Sequence, residues 1–428
     1  MPSLSRRAFA LAGVSAFAGC TGLSNSLGDG SSSGGRTDAA SGSADRSAAT
    51  GNADASTAST AGAETEAGTE GADDSEPPLA NGRLHVPVPM GELREAVLSG
   101  GPGKDGIPSI DEPTFTSASE APGLLGPDSI VFGVARNGVV KAYPQYVLVW
   151  HEIANDTLGD LPVSVTYCPL TGTTQGFYRG ETTFGVSGNL VNSNLVMYDR
   201  GTDSRWPQML ATAISGSLAG RSLREFPLTW TTWGRWKREH PETQVLTEET
   251  GYVRDYGRDP YGSYAADSGY YADRGTLFAP LRENDRYHPK AVVVGARTTD
   301  GAIAFYEPAL RKQGLLEGVP SADAGPATTT GTTIATDGTS EANGTSGADG
   351  GSETAGRTSL VATYDPVLDG ATVYRNPEGI AFEYREGRVV GPDGDVHAPD
   401  ALPLEEVMGY DAMWFSWAGF YPNTGIVE

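Results

Sequence analysis

The sequence predicts a mainly β fold with a few short helices, arranged as two pseudo-symmetric β lobes. Three observations predict it. Short apolar runs recur between Gly, Asn, Asp and Pro punctuation, the pattern of strands and tight turns. Helical periodicity is confined to two short stretches. The order of motifs in the first half of the chain returns in the second.

The first helix is expected over 92–99, with Leu93, Ala96 and Val97 on one face and Gly100 at its end. Strands follow at 131–134 and 139–143. They flank Arg136-Asn137-Gly138, and Asn-Gly between apolar runs is a hairpin signal because both turn residues tolerate positive φ. Runs at 163–167 and 195–198 read as further strands. A second helix starts at a Thr232 cap, runs through Trp233 and Trp236, and is stopped by Pro241. The second half repeats the strand pattern at 291–294, 303–306, 360–364 and 380–384. In the tail, Trp414 and Trp417 are expected in the core.

The repeat is visible residue by residue. Val131-Phe132-Gly133 with Gly138-Val139-Val140 parallels Val293-Val294-Gly295 with Gly301-Ala302-Ile303. Thr166-Tyr167-Cys168-Pro169 with Gly172-Thr173 parallels Thr363-Tyr364-Asp365-Pro366 with Gly370-Ala371. A duplicated β unit explains both, and it places Cys168 where the other half has the turn-capping carboxylate of Asp365.

Residues 1–20 read as an export signal. Arg6-Arg7 is a twin-arginine pattern, an apolar run too short to span a bilayer follows, and Phe17-Ala18-Gly19-Cys20 ends it as a lipid-attachment site would. Cys20 is then the lipidation site. It anchors the chain to the outer face of the cytoplasmic membrane, with the membrane as its partner. Residues 21–80 hold ten acidic and two basic residues and no aromatic ring, so they form a self-repelling tether that cannot bury a core. Residues 321–357 have the same character and interrupt the folded part as an insertion. The folded domain is therefore 81–320 plus 358–428, ample for one large domain.

The net charge of −24 comes from 54 acidic against 30 basic residues, of which only five are lysine. Such a surface repels nucleic acid, which is excluded as a partner. Acid-rich, lysine-poor composition is similar to that of proteins from salt-loving archaea. With Cys20 lipidated, Cys168 has no partner for an intramolecular disulfide.

Several long motifs surround that cysteine. They are Trp150-His151-Glu152-Ile153-Ala154-Asn155-Asp156, Tyr167-Cys168-Pro169-Leu170-Thr171-Gly172 and Phe184-Gly185-Val186-Ser187-Gly188-Asn189. Asn192-Ser193-Asn194-Leu195-Val196-Met197-Tyr198-Asp199-Arg200, Tyr256-Gly257-Arg258-Asp259-Pro260-Tyr261, His288-Pro289-Lys290 and the Trp414 to Pro422 tail complete the set. Together they resemble the domain of unknown function 3179 family over nearly all of the folded part. The family's name carries no activity. The resemblance also implies a second cysteine in many members where this chain has Thr171.

A thiolate nucleophile needs a base or a positive charge nearby. His151 and His288, both within family-like motifs, are the candidate bases for Cys168. The same three residues are the candidate ligands of a soft metal, copper or zinc. Glu152 and Asp156 are placed to orient His151. Asn189, Asn194, Tyr198, Asp199 and Arg200 suggest a polar ligand grip, or a hydrogen-bonded β corner. Six tyrosines between Tyr252 and Tyr271, Tyr256 and Tyr261 among them, suggest an aromatic platform for a sugar or polysaccharide, or a packed rim. Asn155 and Asn343 open glycosylation sequons. The expected function is a surface lipoprotein that binds a small polar molecule, a sugar or a metal in a cleft near Cys168. A thiol-dependent hydrolase or transferase and a structural envelope protein are the alternatives.

Overall fold

The computed structural model describes residues 75–264, 267–322 and 358–428. The export signal, Cys20, most of the tether and the Asn343 sequon lie outside the described residues. Two β units follow one another along the chain.

In the first, β1 (Ile130–Arg136) and β2 (Val139–Pro144) pair antiparallel around Asn137 and Gly138, whose φ values of 54° and 71° are those an Asn-Gly turn requires. The short helix Gln145–Leu148 leads into an antiparallel run of β3 (Ile153–Leu158), β4 (Leu161–Cys168) and β5 (Thr173–Tyr178). A second hairpin, β6 (Phe184–Val191) and β7 (Asn194–Asp199), turns on Asn192 and Ser193, also at positive φ. The chain returns through Glu225–Phe226 onto β5 and through β8 (Thr229–Thr232) onto β1. The helix Trp233–Glu239 and the strand Gln244–Leu246, parallel to β2, close the unit.

The second unit has the same order. β9 (Val292–Arg297) and β10 (Ala302–Tyr306) form the hairpin, and the helix Glu307–Gln313 follows. The strand Leu315–Gly318, β11 (Ser359–Asp365) and β12 (Gly370–Asn376) pair in turn. The return strands are Glu405–Val407 on β12 and β13 (Gly409–Met413) on β9. The helix Trp414–Phe420 and Gly425–Val427, parallel to β10, close it.

Detailed packing matches too. A Cβ on Gly133 would lie 2.4 Å from the Trp236 ring, and one on Gly295 would lie 2.1 Å from the Trp417 ring. Each indole sits where a side chain would stand, so only glycine fits. Trp236 Nε1 donates to Thr243 Oγ1 at 2.9 Å, and Trp417 Nε1 donates to Thr424 Oγ1 at 3.1 Å. The pairing of Cys168 with Thr173 is matched by Asp365 with Gly370, and the Asp365 carboxylate caps its turn by accepting Val367 N–H at 2.7 Å.

Some expectations shift. The first helix is Met90–Glu95, because the chain then pairs Leu98 and Ser99 with β6. The strand expected at 380–384 is Glu383–Arg385. Ile380 is held by Asn376 instead, through both its N–H (2.9 Å) and its carbonyl (3.0 Å). The folded part begins before residue 81, since Leu79 bridges to Leu223 and Ala80 N–H donates to Ser222 O. No helix among the described residues is long and apolar enough to cross a membrane. Trp206, Trp236, Trp414 and Trp417 are all fully buried, and truncating such a ring to Ala costs about 3–5 kcal/mol.

Candidate functional site

Cys168 is the last residue of β4. Strand alternation puts Thr166 and Cys168, with Thr173 and Gln175 of β5, on one face of the sheet. That face packs against β6 and β7, and Cys168 is buried in a cluster with Ile153, Leu170, Leu195 and Met197. Its sulfur accepts Leu195 N–H at 3.4 Å and its S–H donates to Ser193 O at 3.7 Å. Burial pushes the thiol up to about 11, and the nearby charge of Glu152 adds to the rise. The group is a protonated thiol at neutral pH.

The two candidate bases are committed elsewhere. His151 is fully buried, with Nδ1 2.8 Å from Pro108 O and Nε2 2.7 Å from Tyr256 Oη. A carbonyl only accepts, so Nδ1 carries the proton and Nε2 accepts from the tyrosine. Burial lowers the pKa of this imidazole, which holds it neutral. Nδ1 of His288 accepts Lys290 N–H at 3.2 Å. Neither ring is among the partners of the sulfur. Among the described residues no three His, Cys, Asp or Glu side chains gather as a metal-binding group. No hydrogen bond joins Cys168 to His151 or His288, the three residues expected as nucleophile and base or as copper or zinc ligands.

The reason lies one residue along. Glu152 has φ 58°, a left-handed conformation that few non-glycine residues adopt. His151 packs toward Tyr256, while the Glu152 carboxyl acts on Cys168 and Tyr261. Glu152 is 6% exposed, and its carboxyl makes no hydrogen bond among the described residues. Burial alone pushes it up to about 8. A buried, unpaired carboxyl on strained backbone is costly, and such strain clusters at functional sites. Sequence reasoning cast Glu152 only as a support for His151. Its one visible signal was a charged residue inside an otherwise apolar run, Trp150 to Ala154.

The tyrosines form a cover rather than an open platform. Tyr256, Tyr264 and Tyr271 are buried, and Tyr261 and Tyr270 pack on the Cys168 cluster. The cover is held by Tyr270 Oη to Leu170 O (2.7 Å), Trp150 Nε1 to Arg258 O (3.1 Å), Gln145 Nε2 to Asp259 Oδ2 (3.0 Å) and Ser193 Oγ to Phe278 O (3.3 Å). Lys290, fully buried, donates to Tyr270 O and stands 3.5 Å from the centre of its ring. Among the described residues of this segment strand pairing is limited to the two-residue pair Gly262–Ser263 with Ser268–Gly269. The cover is therefore tied down by side chains.

The remaining candidates make contacts within the fold. Asn194 Nδ2 donates to Thr171 Oγ1 (3.1 Å) and Gln208 Oε1 (3.0 Å), and its Oδ1 accepts Met209 N–H (2.9 Å). Thr171 is thereby locked in a network with Thr173. Asn189 sits beside a β-bulge in β6. Asp199 is buried and occupied by Thr202 and Trp206 Nε1. Arg200 instead faces Asp105 and Asp111, so the two do not form a joint grip. Tyr198 Oη donates to Asp105 at 2.5 Å. Asn155 is buried, with its amide on Asp111 (2.6 Å) and Phe184 O (2.8 Å), so its sequon is closed to a glycan.

A family model described as protein of unknown function (DUF3179) matches residues 104–424. No curated protein matches the chain, and no solved structure does.

Proposed function

The chain belongs to the DUF3179 family of unknown function, and from that premise we propose a lipid-anchored protein on the outer face of the cytoplasmic membrane. Its β body binds a small hydroxyl-rich ligand, of the sugar or polyol class, under the tyrosine cover beside Cys168. The observation that carries this reading is the buried, unpaired carboxyl of Glu152. Below its raised pKa the group is neutral, with one O–H to give and acceptor oxygens to offer, which complements a ligand hydroxyl. Tyr261 and Tyr270 supply ring surface above it. A metal is less well matched, since it would have to displace protons from both the thiol and the carboxyl. The anchor rests on Arg6, Arg7 and Cys20, and the acidic stretch after Cys20 supplies reach.

The thiol-dependent hydrolase or transferase is the second reading, with Glu152 rather than a histidine as proton acceptor for Cys168. Its support is the electrostatic contact between those two groups. An internal duplication is the simplest account of the two units, supported by their common strand order and the matched Gly–Trp–Thr packing.

Thermal melting against monosaccharides, polyols and zinc ions tests the main reading. At least one sugar or polyol is expected to raise Tm in the wild type and not in Glu152→Ala. A response to zinc alone, or sugar responses that survive in Glu152→Ala, would overturn it.

A further inference from the structure

A separate cleft of about 630 Å³ opens where the two units meet, far along β5 from Cys168. Arg297 lines it, with Glu225, Glu405 and Glu406, and Arg224 and Arg375 stand at its wall. Arg297 comes from β9 and Glu225 from the return strand on β5, so their ion pair at 2.8 Å crosses between the units. The register makes Glu406, opposite Tyr374, the counterpart of Glu225, opposite Phe177. Arg136 of the first unit acts on Glu406 as Arg297 acts on Glu225. The cleft thus gathers matched positions of the two units, and meeting places of this kind are common ligand sites.

Arg297 is short of partners. Its side chain is fully buried, with the Tyr410 ring 5.3 Å from the guanidinium carbon. Nη2 is taken by Glu225, and the Tyr421 hydroxyl also acts on the side chain, but Nε and Nη1 have no hydrogen bond of good geometry among the described residues. Gln175, two residues before the partner of Glu225 on the same sheet face, also has both amide atoms unmatched. Buried donors without acceptors are costly and rare in native proteins. Burial raises the pKa of both Glu225 and Glu406, and at the wall Arg375 Nε donates to Glu405 Oε2 at 3.1 Å. In a chain of net charge −24 the cleft gathers three arginines, at Arg224, Arg297 and Arg375.

We propose that the cleft between the units binds a small organic carboxylate, with Arg297 at its floor and Arg224 and Arg375 at its wall. Entry passes the strap at 79–85, which is held by backbone bonds to Ser222 and Thr298 and by Ser222 Oγ. Only Nη2 of the guanidinium faces a carboxylate in the free protein, so a ligand oxygen at either remaining nitrogen completes it without breaking the existing pair.

Calorimetry and thermal melting with succinate, citrate and inorganic phosphate, each against sodium chloride of equal ionic strength, decide the matter. A saturable carboxylate response is expected, weakened at least about tenfold in Arg297→Gln and in the wall variant Arg375→Ala. If Arg297→Gln does not fold, the paired wall variant Arg224→Ala/Arg375→Ala is read in its place. Responses no larger than chloride, a response to phosphate alone, or a carboxylate response untouched by the readable variants would overturn the proposal. A crystal structure in citrate that shows only water on Nε and Nη1 would do the same.

Discussion

Glu152 shows how much one side chain can be asked to give up. It combines left-handed backbone, near-complete burial and no hydrogen-bond partner for its carboxyl among the described residues. Its folded pKa of about 8 stands above the ordinary 4.5. The folded state therefore holds the proton more tightly, and stability falls as pH rises from about 4.5 to about 8, then levels off. The whole penalty is at most on the order of 5 kcal/mol. Glu152→Gln removes the ionisation and keeps the shape. Denaturant melts should show the variant more stable than wild type at pH 9, with the difference shrinking toward pH 4. Parallel curves at both pH values would show that the carboxyl has found a partner. A residue whose replacement stabilises the fold is retained at a cost, as functional groups often are.

The Gly–Trp pairs set the scale of an element. Gly133 and Gly295 occupy the same place in their hairpins, and an indole from the helix that closes the unit fills the space over each. A methyl at either site collides with ring atoms that the Thr243 and Thr424 bonds hold in place. Gly133→Ala and Gly295→Ala should each cost about 1–3 kcal/mol, by overpacking. Gly123→Ala, which meets nothing within 4 Å, should change stability by less than about 0.5 kcal/mol. Urea titrations of the three variants check this. Unequal costs at the two paired sites would argue against equivalent units.

Across the whole molecule, the two units differ most at one connection. In the first, β3 and β4 are joined by Gly159 and Asp160; in the second, the chain between Gly318 and Ser359 carries the low-complexity stretch. Closing a long loop costs little more than closing a short one, about 0.6 kcal/mol per doubling of length. Replacing 323–357 by a short Gly-Ser linker should leave the fold intact and raise Tm slightly, as read by calorimetry. Loss of cooperative melting would show that the stretch takes part in folding. The pair of Arg297 with Glu225 is also a feature of this scale, because it exists only once the units are assembled.

What the sequence determined by itself was local. Asn137-Gly138 announces its hairpin because turn geometry depends on two residues. The Trp233 helix follows from short-range patterning, and the common motif order is legible because order survives in one dimension. Tertiary structure alone decided the site. His151 is taken by Pro108 and Tyr256, while Glu152, on left-handed backbone, is the acidic group that acts on Cys168. Tyr252 stays exposed, and that the other five tyrosines lie down as a cover depends on partners as distant as Leu170 and Trp150. Spacing along a chain carries no record of such contacts, because burial and charge pairing arise only when separate strands close on one another.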